Sequence, residues 1–392
     1  MEENKSRIKI LIILNTLGIG GAEMRIARTA PFFDSKKYDV HIAYYSRTQI
    51  GYPEHLLHNN GVKVTFLDRN KWGRIKYLFK AVRFMKENQF DIVHAWTGTA
   101  NVYGRLPAII AGVPCILGGL AGRRTANDYR GLAYSLTNWR CSGWVVNSQD
   151  IKKIAGKKIF FIEKTSIYVV PNGIGAAQTI FPQESYAFYK NLKSDRPVVG
   201  TVGRLTAVKN HMFFLKIAKA LLLKGIKVDF WIIGDGPLKK NLYAFIKKYS
   251  LSDHVKLLGF RTDIDLALSN MNVFMLTSDS EGCPNVLLEA MRASVPIVST
   301  NCGSLQNIVE EGKNGFLIPP GDSGAMAEKI EWLLKHPNQA SEMGKNGKKI
   351  VEERFSMKTA VEQLTKVYIE CLKKNMVKYP LLKKKLIDLA LI

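Results

Sequence analysis

The chain has 392 residues, 46% hydrophobic and 23% charged, which is too apolar for a disordered protein and long enough for two domains of about 100 to 200 residues each. Lys and Arg number 57 against 33 Asp and Glu, a formal net charge of +24, a field that attracts phosphorylated substrates, anionic lipid surfaces or nucleic acid without choosing among them. The five cysteines, Cys115, Cys141, Cys283, Cys302 and Cys371, show no Cys-x-x-Cys spacing, which excludes a zinc ribbon or a disulfide framework and fits a reducing cytosol.

The first predicted element is the strand IKILIILNT from Ile8. Its apolar core, Ile10 to Leu14, is far shorter than the roughly 20 residues that span a bilayer and lacks a small-residue cleavage site, so it reads as a strand and not as a secretion signal. GIGGAE (Gly18 to Glu23) then opens a helix. Gly20 and Gly21 let the backbone approach a ligand that the first-turn amides face, with a plain tight turn as the alternative. The dinucleotide fingerprint is absent, because Glu23 stands where its third glycine belongs and the second strand ends in Tyr45, Ser46 and Arg47 without a ribose-binding acid.

Short β-branched runs then alternate with amphipathic stretches: DVHIAYYS, VKVTFLD, DIVHAW, VPCILGG, GWVVNS and IYVVPNG, closing near Asn172 to Phe181. This alternation predicts parallel βαβ units. Between them, Arg69 to Lys86 carries the basic residues Arg69, Lys71, Arg74, Lys76, Lys80, Arg83 and Lys86. Ile75, Leu78, Phe79, Val82 and Met85 recur at helical spacing and are expected to form its buried face, leaving a cationic face with Trp72, Tyr77 and Phe84 as apolar anchors. Such a helix can lie on an anionic membrane or be merely solvated. His94, ending DIVHAW, is expected to look from a strand end into a cleft between domains, a structural histidine being the alternative.

Gly175 to Arg196 is turn-rich, contains Pro182, and is the candidate hinge. A second series follows: PVVGTVGRL, VDFWIIGDG, HVKLLGF, NVFMLTS, PIVST and GFLIPP, with helices at Asn210 to Lys224 and Leu238 to Tyr249. The fold class is therefore α/β, two Rossmann-like doubly wound domains in tandem, 1–181 and 182–371. A C-terminal helix over about 372–392 is expected to pack back onto the first; the tail should break at Pro380 and brings six lysines between Lys373 and Lys385.

Three strand ends in the second series carry chemistry. VGRLTAVKN places Arg204 at one strand end and Lys209 near the next helix start, so both cations can meet one phosphate, unless they are simply solvated. IIGDG, with Gly234, is a generic βα turn. SDSEGCPNVLLEAMRASVP sets Glu281 just before a helix start at Pro284 and Asn285, and Glu289 about a turn and a half inside. Open parallel sheets bind ligands beyond the carboxyl ends of their strands, where a helix N-terminus offers free amides, here from Gly282, Cys283 and Asn285, to a diphosphate.

The set GGAE, VPNG, VGRL with Lys-Asn, GDG, LGF, EGCPNVLLE and NGFLIPPGD, in this order from Ile8 to about Leu372, resembles glycosyltransferase family 4, retaining enzymes of the GT-B fold, whose two domains face across a cleft. The resemblance implies transfer of a sugar from a nucleotide diphosphate donor, held by the second domain, to a glycan or lipid-linked acceptor held by the first, with no metal and no further cofactor. It implies that Arg204 and Lys209 neutralise the diphosphate, that Glu281 binds sugar hydroxyls and Glu289 ribose hydroxyls, that Gly20 and Gly21 approach the donor phosphate, and that the backbone at Phe260 and Arg261 contacts the base. Two departures stand out: Trp96 replaces the second histidine of a His-x-His, leaving His94 alone, and Asn307 replaces a carboxylate. A cytosolic, peripherally membrane-associated enzyme of cell-envelope polysaccharide synthesis is the resulting expectation. The alternatives are a sugar-nucleotide epimerase or another nucleotide-sugar enzyme of the same fold. No helix-turn-helix, zinc-finger or aromatic RNP pattern supports a nucleic-acid partner.

Overall fold

The computed structural model describes residues 7–18, 21–47, 52–96, 98–120, 131–159, 166–192 and 194–392. The chain divides into two compact units, Met1–Gly173 with Met357–Ile392, and Ile174–Ser356. The boundaries thus fall at 173/174 and 356/357, not at 181/182 and 371/372. The second shift has a physical cause: the whole of the helix beginning at Met357 buries its apolar face, Val361, Leu364, Val367, Tyr368, Cys371 and Leu372, in the core of the first unit.

In the first unit the strands are β1 (Ile8–Leu14), β2 (Tyr38–Tyr44), β3 (Lys63–Phe66), β4 (Ile92–Ala95), β5 (Cys115–Leu120), β6 (Gly143–Val146) and β7 (Ile167–Val169). They form one parallel sheet in the order β3-β2-β1-β4-β5-β6-β7. Helices α1 (Gly21–Thr29), α2 (Tyr52–Asn59), α3 (Arg69–Asn88), α4 (Ala100–Tyr103), α5 (Arg105–Ala111), α6 (Gly131–Leu136) and α7 (Gln149–Lys158) connect them. β1 is almost wholly buried, because helices cover both faces of such a sheet and its strands read as unbroken apolar runs.

The second unit repeats the plan. Its elements run α8 (Gln183–Leu192), β8 (Val198–Val202), α9 (His211–Leu223), β9 (Asp229–Ile233), α10 (Lys239–Lys248), β10 (Val255–Gly259), α11 (Ile264–Ser269), β11 (Val273–Leu276), α12 (Asn285–Arg292), β12 (Ile297–Thr300), β13 (Gly315–Ile318), α13 (Ser323–Lys335) and α14 (Pro337–Arg354). The sheet order is β10-β9-β8-β11-β12-β13, again parallel. The strand order reverses between β8 and β11, which leaves a crevice at their carboxyl ends. The expected hinge contains α8, whose Tyr189 is buried against Trp231 and donates to Asp263 Oδ1 at 3.1 Å. That packing makes the segment part of the second unit.

Two features of the first unit differ from the sequence reading. Helix α3 turns a partly different face inward: Met85 is buried as expected, but together with Tyr77 and Ala81, while Ile75 and Phe79 are 73% and 70% exposed. Gly73 interrupts the helix at φ 67°, so the first turn does not set the phase of the rest, and the Tyr77 hydroxyl reaches inward to the Tyr103 carbonyl at 3.0 Å. Of the expected apolar anchors Tyr77 and Phe84 face inward, and the Trp72 side chain lies outside the described residues. His94, expected at an open strand end, is completely buried. It sits in β4 between Ile12 and Leu117, its Nδ1 lies 2.8 Å from the Tyr368 hydroxyl, and its ring has no surface from which to meet a substrate.

The tail returns as α15 (Met357–Asn375) and α16 (Pro380–Asp388). Pro380 opens α16 as its first residue, where the missing N–H costs nothing. Lys385 donates to both carboxylate oxygens of the buried Asp91 at 2.9 and 2.8 Å, and the Arg140 guanidinium donates to the Tyr379 hydroxyl at 3.0 Å. Lys385 is therefore part of the fold; Lys373, Lys378, Lys383 and Lys384 remain exposed.

Replacing Asp91 by Ala removes the carboxylate partner of the half-buried Lys385 ammonium and should lower the stability of the first unit by about 3 kcal/mol; a denaturation midpoint equal to wild type would show that the pair does not anchor the tail. Burial, reinforced by the nearby Arg25, pushes the His94 pKa from 6.5 down to about 3. Between these values the unfolded chain holds a proton on this group that the folded chain refuses. Stability should therefore fall as pH drops from 6.5 toward 3, by ~1.4 kcal/mol per pH unit for this one proton, with no contribution above that range. His94→Gln should flatten the measured slope by about one proton, and an unchanged slope would contradict the assignment.

Candidate active site

The crevice of the second unit is built from the loops that follow β8, β9, β11 and β12. After β8 the chain runs through Arg204 into a short 3-10 turn, Ala207–Lys209, and then Asn210 adopts a left-handed conformation, φ 47°, ψ 45°, to start α9. After β11 it runs through Thr277, Asp279 and Glu281 to Pro284, the N-cap residue of α12. Pro284 makes no side-chain cap, so the first-turn amides of α12 carry the partial positive charge of a helix start.

The two loops meet in an ion pair, Lys209 Nζ to Glu281 Oε1 at 2.6 Å, with the side chains 24% and 11% exposed. Among the described residues, Glu281 Oε2 has no partner and keeps its acceptor capacity. Arg204, on the same loop as Lys209, is exposed and makes no side-chain hydrogen bond or ion pair among the described residues. The site therefore presents a free planar guanidinium, an ammonium with donors to spare and a carboxylate with one open oxygen.

Glycines allow this closeness. A Cβ at Gly303, φ +63°, would collide with the Glu281 carbonyl oxygen, and one at Gly234, φ +139°, with the Gly203 carbonyl oxygen. The loop after β12 thus backs the Glu281 loop directly. Burial, with a contribution from the Glu281 carboxylate, raises the neighbouring Cys302 thiol to about 11, which keeps it protonated and unreactive. His211, at the start of α9 beside Gly203, is driven down to about 4 by burial and by Lys209, and is neutral near pH 7.

Gly282, Cys283 and Pro284 are buried around the start of α12, and Asn285 is half-buried. Glu289 is 7% exposed within that helix. Phe260, at the end of β10, is 55% exposed. The Arg261 side chain beside it is already engaged: its Nε donates to Asp263 Oδ1 at 2.9 Å, its Nη2 to Asp263 Oδ2, and its guanidinium lies 4.1 Å from the Phe188 ring centroid. Only the backbone at 261 is left to meet a ligand. Asn307 is exposed, and its carbonyl oxygen accepts from Arg354 at 2.7 Å. In the first unit Gly21 opens α1, Gly20 lies outside the described residues, and His94 is in the core.

Sequence reasoning missed the residues that tie the two loops together. The Thr277 hydroxyl donates to the carbonyl oxygens of Lys209 and Asn210 at 3.2 and 3.1 Å, and Asn210 Nδ2 donates to Asp279 Oδ1 at 2.8 Å. The available signal was the unbroken polar run Thr277 to Glu281 directly after the apolar strand β11. Among the described residues no group of three His, Cys, Asp or Glu side chains is placed to hold a metal ion.

Residues 19–178 match the family profile of Glycosyltransferase Family 4, and residues 182–350 that of Glycosyl transferases group 1. The UDP-Gal:alpha-D-GlcNAc-diphosphoundecaprenol alpha-1,3-galactosyltransferase of Escherichia coli is 27% identical over 308 residues, covering 76% of this chain and 79% of that one. The capsular polysaccharide biosynthesis glycosyltransferase CapM of Staphylococcus aureus is 27% identical over 361 residues, 88% of this chain and 93% of that one. Among solved structures, Anabaena Alr3699/HepE in complex with UDP and glucose superposes with a TM-score of 0.79 over 92% of this chain and 99% of that one, at 22% identity, a likeness of fold. Matched in tandem along nearly its whole length, the chain belongs to the group 1 glycosyltransferases of family 4, transferases of the GT-B fold.

Proposed function

We propose that the chain transfers a hexose-type sugar, with retention at the anomeric carbon, from a nucleoside diphosphate donor to a glycan or lipid-linked acceptor in cell-envelope, capsule or exopolysaccharide synthesis. The observation that carries this reading is the Lys209–Glu281 pair, flanked by the unpaired Arg204 and the uncapped start of α12, at the β8/β11 switch point. The E. coli relative acts, by its name, on a diphosphoundecaprenol-linked sugar with UDP-Gal, and the HepE structures hold UDP, UDP with glucose, and UDP-glucose. Both favour a uridine nucleotide as the donor's base.

In this reading the diphosphate lies against the amides of Gly282, Cys283 and Asn285, with Arg204 and Lys209 meeting its charge. The free oxygen of Glu281 accepts from sugar hydroxyls, Glu289 from the ribose, and the backbone at Phe260, Arg261 and Gly234 lines the base. The acceptor hydroxyl attacks the anomeric carbon from the side of the leaving group. Its proton passes to a phosphate oxygen, and the bond between that carbon and the phosphate oxygen breaks. Positive charge held against the negative charge that grows on the departing diphosphate is then the main protein contribution, supplied by side chains and helix amides without need of a metal ion.

Arg204→Ala and Lys209→Ala should each reduce turnover about 100-fold or more while leaving the unfolding temperature near wild type. Wild-type turnover in either variant would sink the assignment. A thermal-shift panel of UDP-, GDP-, ADP- and dTDP-sugars should show stabilisation by one nucleotide class, UDP first, since a donor that binds only the folded state raises stability by mass action. Transfer should survive a chelator, and loss of activity restored by a divalent cation would contradict the metal-free reading.

The same reading places the enzyme at the cytoplasmic face of an anionic membrane. No helix among the described residues is long and apolar enough to cross a membrane. On α3, however, the exposed Ile75 and Phe79 stand among Lys71, Arg74, Lys76, Lys80, Arg83 and Lys86, all exposed. Apolar side chains framed by cations suit a headgroup boundary, and the exposed lysines of the tail add to the attraction. Ile75→Ser with Phe79→Ser should weaken co-sedimentation with anionic vesicles about tenfold; unchanged binding, or none by the wild type at low salt, would remove the membrane claim.

A further inference from the structure

Lys209 and Glu281 lie on loops 72 residues apart in sequence, and a set of contacts outside the pair holds those loops in register. Every second residue after β11 reaches across to the segment 208–210. Thr277 donates its hydroxyl to the carbonyl oxygens of Lys209 and Asn210. The Asp279 amide donates to the Val208 carbonyl at 2.9 Å, and its carboxylate accepts from Asn210 Nδ2 at 2.8 Å. Glu281 accepts from Lys209 Nζ. We propose that Asn210 and Asp279, with Thr277, are positioning residues for the transfer: they fix Lys209 against Glu281 so that cation and carboxylate meet diphosphate and sugar together. The proposal rests on the assignment of Lys209 to the diphosphate.

Asn210 does three things that no other residue type combines. Its backbone is left-handed, φ 47°, ψ 45°, a region that β-carbon-bearing residues other than Asn and Asp rarely enter. Its Oδ1 accepts from the Phe213 amide at 3.3 Å and caps α9, a role for which Asn, Asp and Ser are favoured. Its Nδ2 is the donor that Asp279 needs. Glycine would keep only the backbone. Aspartate would keep the backbone and the cap but would set one carboxylate against another. The identity of residue 210 is therefore coupled to that of residue 279, and exchanging the two side chains, Asn210→Asp with Asp279→Asn, reverses the donor and the acceptor and restores the bond.

The experiment compares kcat and donor KM of Asn210→Asp, Asp279→Ala and the exchanged pair with those of the wild type and of Lys209→Ala, together with unfolding temperatures. The expected result is a fall in kcat of about tenfold to 100-fold for Asn210→Asp and for Asp279→Ala, the scale of a small misplacement of a reacting group. The exchanged pair should recover to within about threefold of wild type, because the cross-loop bond is remade. Asp279 is exposed, so Asp279→Ala stays folded and keeps the test decisive even where a change at 210 weakens α9. Wild-type kcat and KM in both single variants, or a loss of unfolding temperature without loss of kcat, would overturn the proposal. Failure of the exchanged pair to recover would also overturn it. Wild-type turnover in Lys209→Ala would instead overturn the parent assignment of that lysine.

Discussion

The contact between Lys209 and Glu281 is the point on which the second unit's site depends. A half-buried ion pair of this kind adds little net stability, because the desolvation of both charges offsets most of their attraction. Its consequence is geometric. It holds a lysine, whose side chain otherwise samples many rotamers, at one place beside a carboxylate whose second oxygen stays open. Order that exists beforehand does not have to be imposed when a substrate binds, and this lowers the entropic cost of binding and of reaching the transition state. The pair exists because β8 and β11 are neighbours in the sheet although two strands, β9 and β10, separate them in sequence. A doubly wound order is what brings the ends of those two strands together.

The thirteen strands among the described residues were legible because parallel strands buried on both faces appear as uninterrupted apolar β-branched runs, and each of DIVHAW, VDFWIIGDG and PIVST contains the strand found there. The site loops were legible for a related reason: Arg204, Lys209, Glu281 and Gly234 all follow a strand's carboxyl end, so placing the strands placed them. What escaped was information that local sequence does not carry. The buried partner of His94 is Tyr368, 274 residues further on, and alternation along a strand cannot reveal which distant helix covers it. Helix α3 is apolar on two sides, so periodicity could not decide between Ile75 with Phe79 and Tyr77 with Ala81, and the break at Gly73 removed the phase that its first turn would have set. The cysteines show no spacing pattern, yet Cys371 donates to the Ser142 carbonyl oxygen at 3.6 Å, bringing α15 against the segment that enters β6.

That last contact belongs to a pattern along the C-terminal return. His94 meets Tyr368, Asp91 meets Lys385, Arg140 meets Tyr379 and Ser142 meets Cys371 and Asn375. In each case a polar group at or near the sheet of the first unit takes a partner from residues beyond 357. Buried polar groups left without partners are costly, so the first sheet is complete only with its tail in place. The second unit is then an insertion within the first. Its entry and exit are held side by side, the Ile174 amide donating to the Phe355 carbonyl at 2.8 Å and Ile174 bridging to Ser356.

The large positive charge takes its meaning from where it is spent. Arg25, Arg261, Arg292 and Lys385 are engaged inside the two units, against backbone carbonyls, Asp263, Asp265 and Asp91, and act as structural cross-links. Lys209 and Arg204 stand at the site. The cations of α3 are a third class, and they differ from a polynucleotide-binding stripe in one respect: Ile75 and Phe79 stand exposed among them. A phosphate backbone offers those two side chains no apolar surface, whereas the boundary beneath lipid headgroups accepts both the cations and the hydrocarbon. Net charge alone could not separate these partners. The proposed membrane contact rests on the position of two apolar residues, which the helical periodicity assigns to the core.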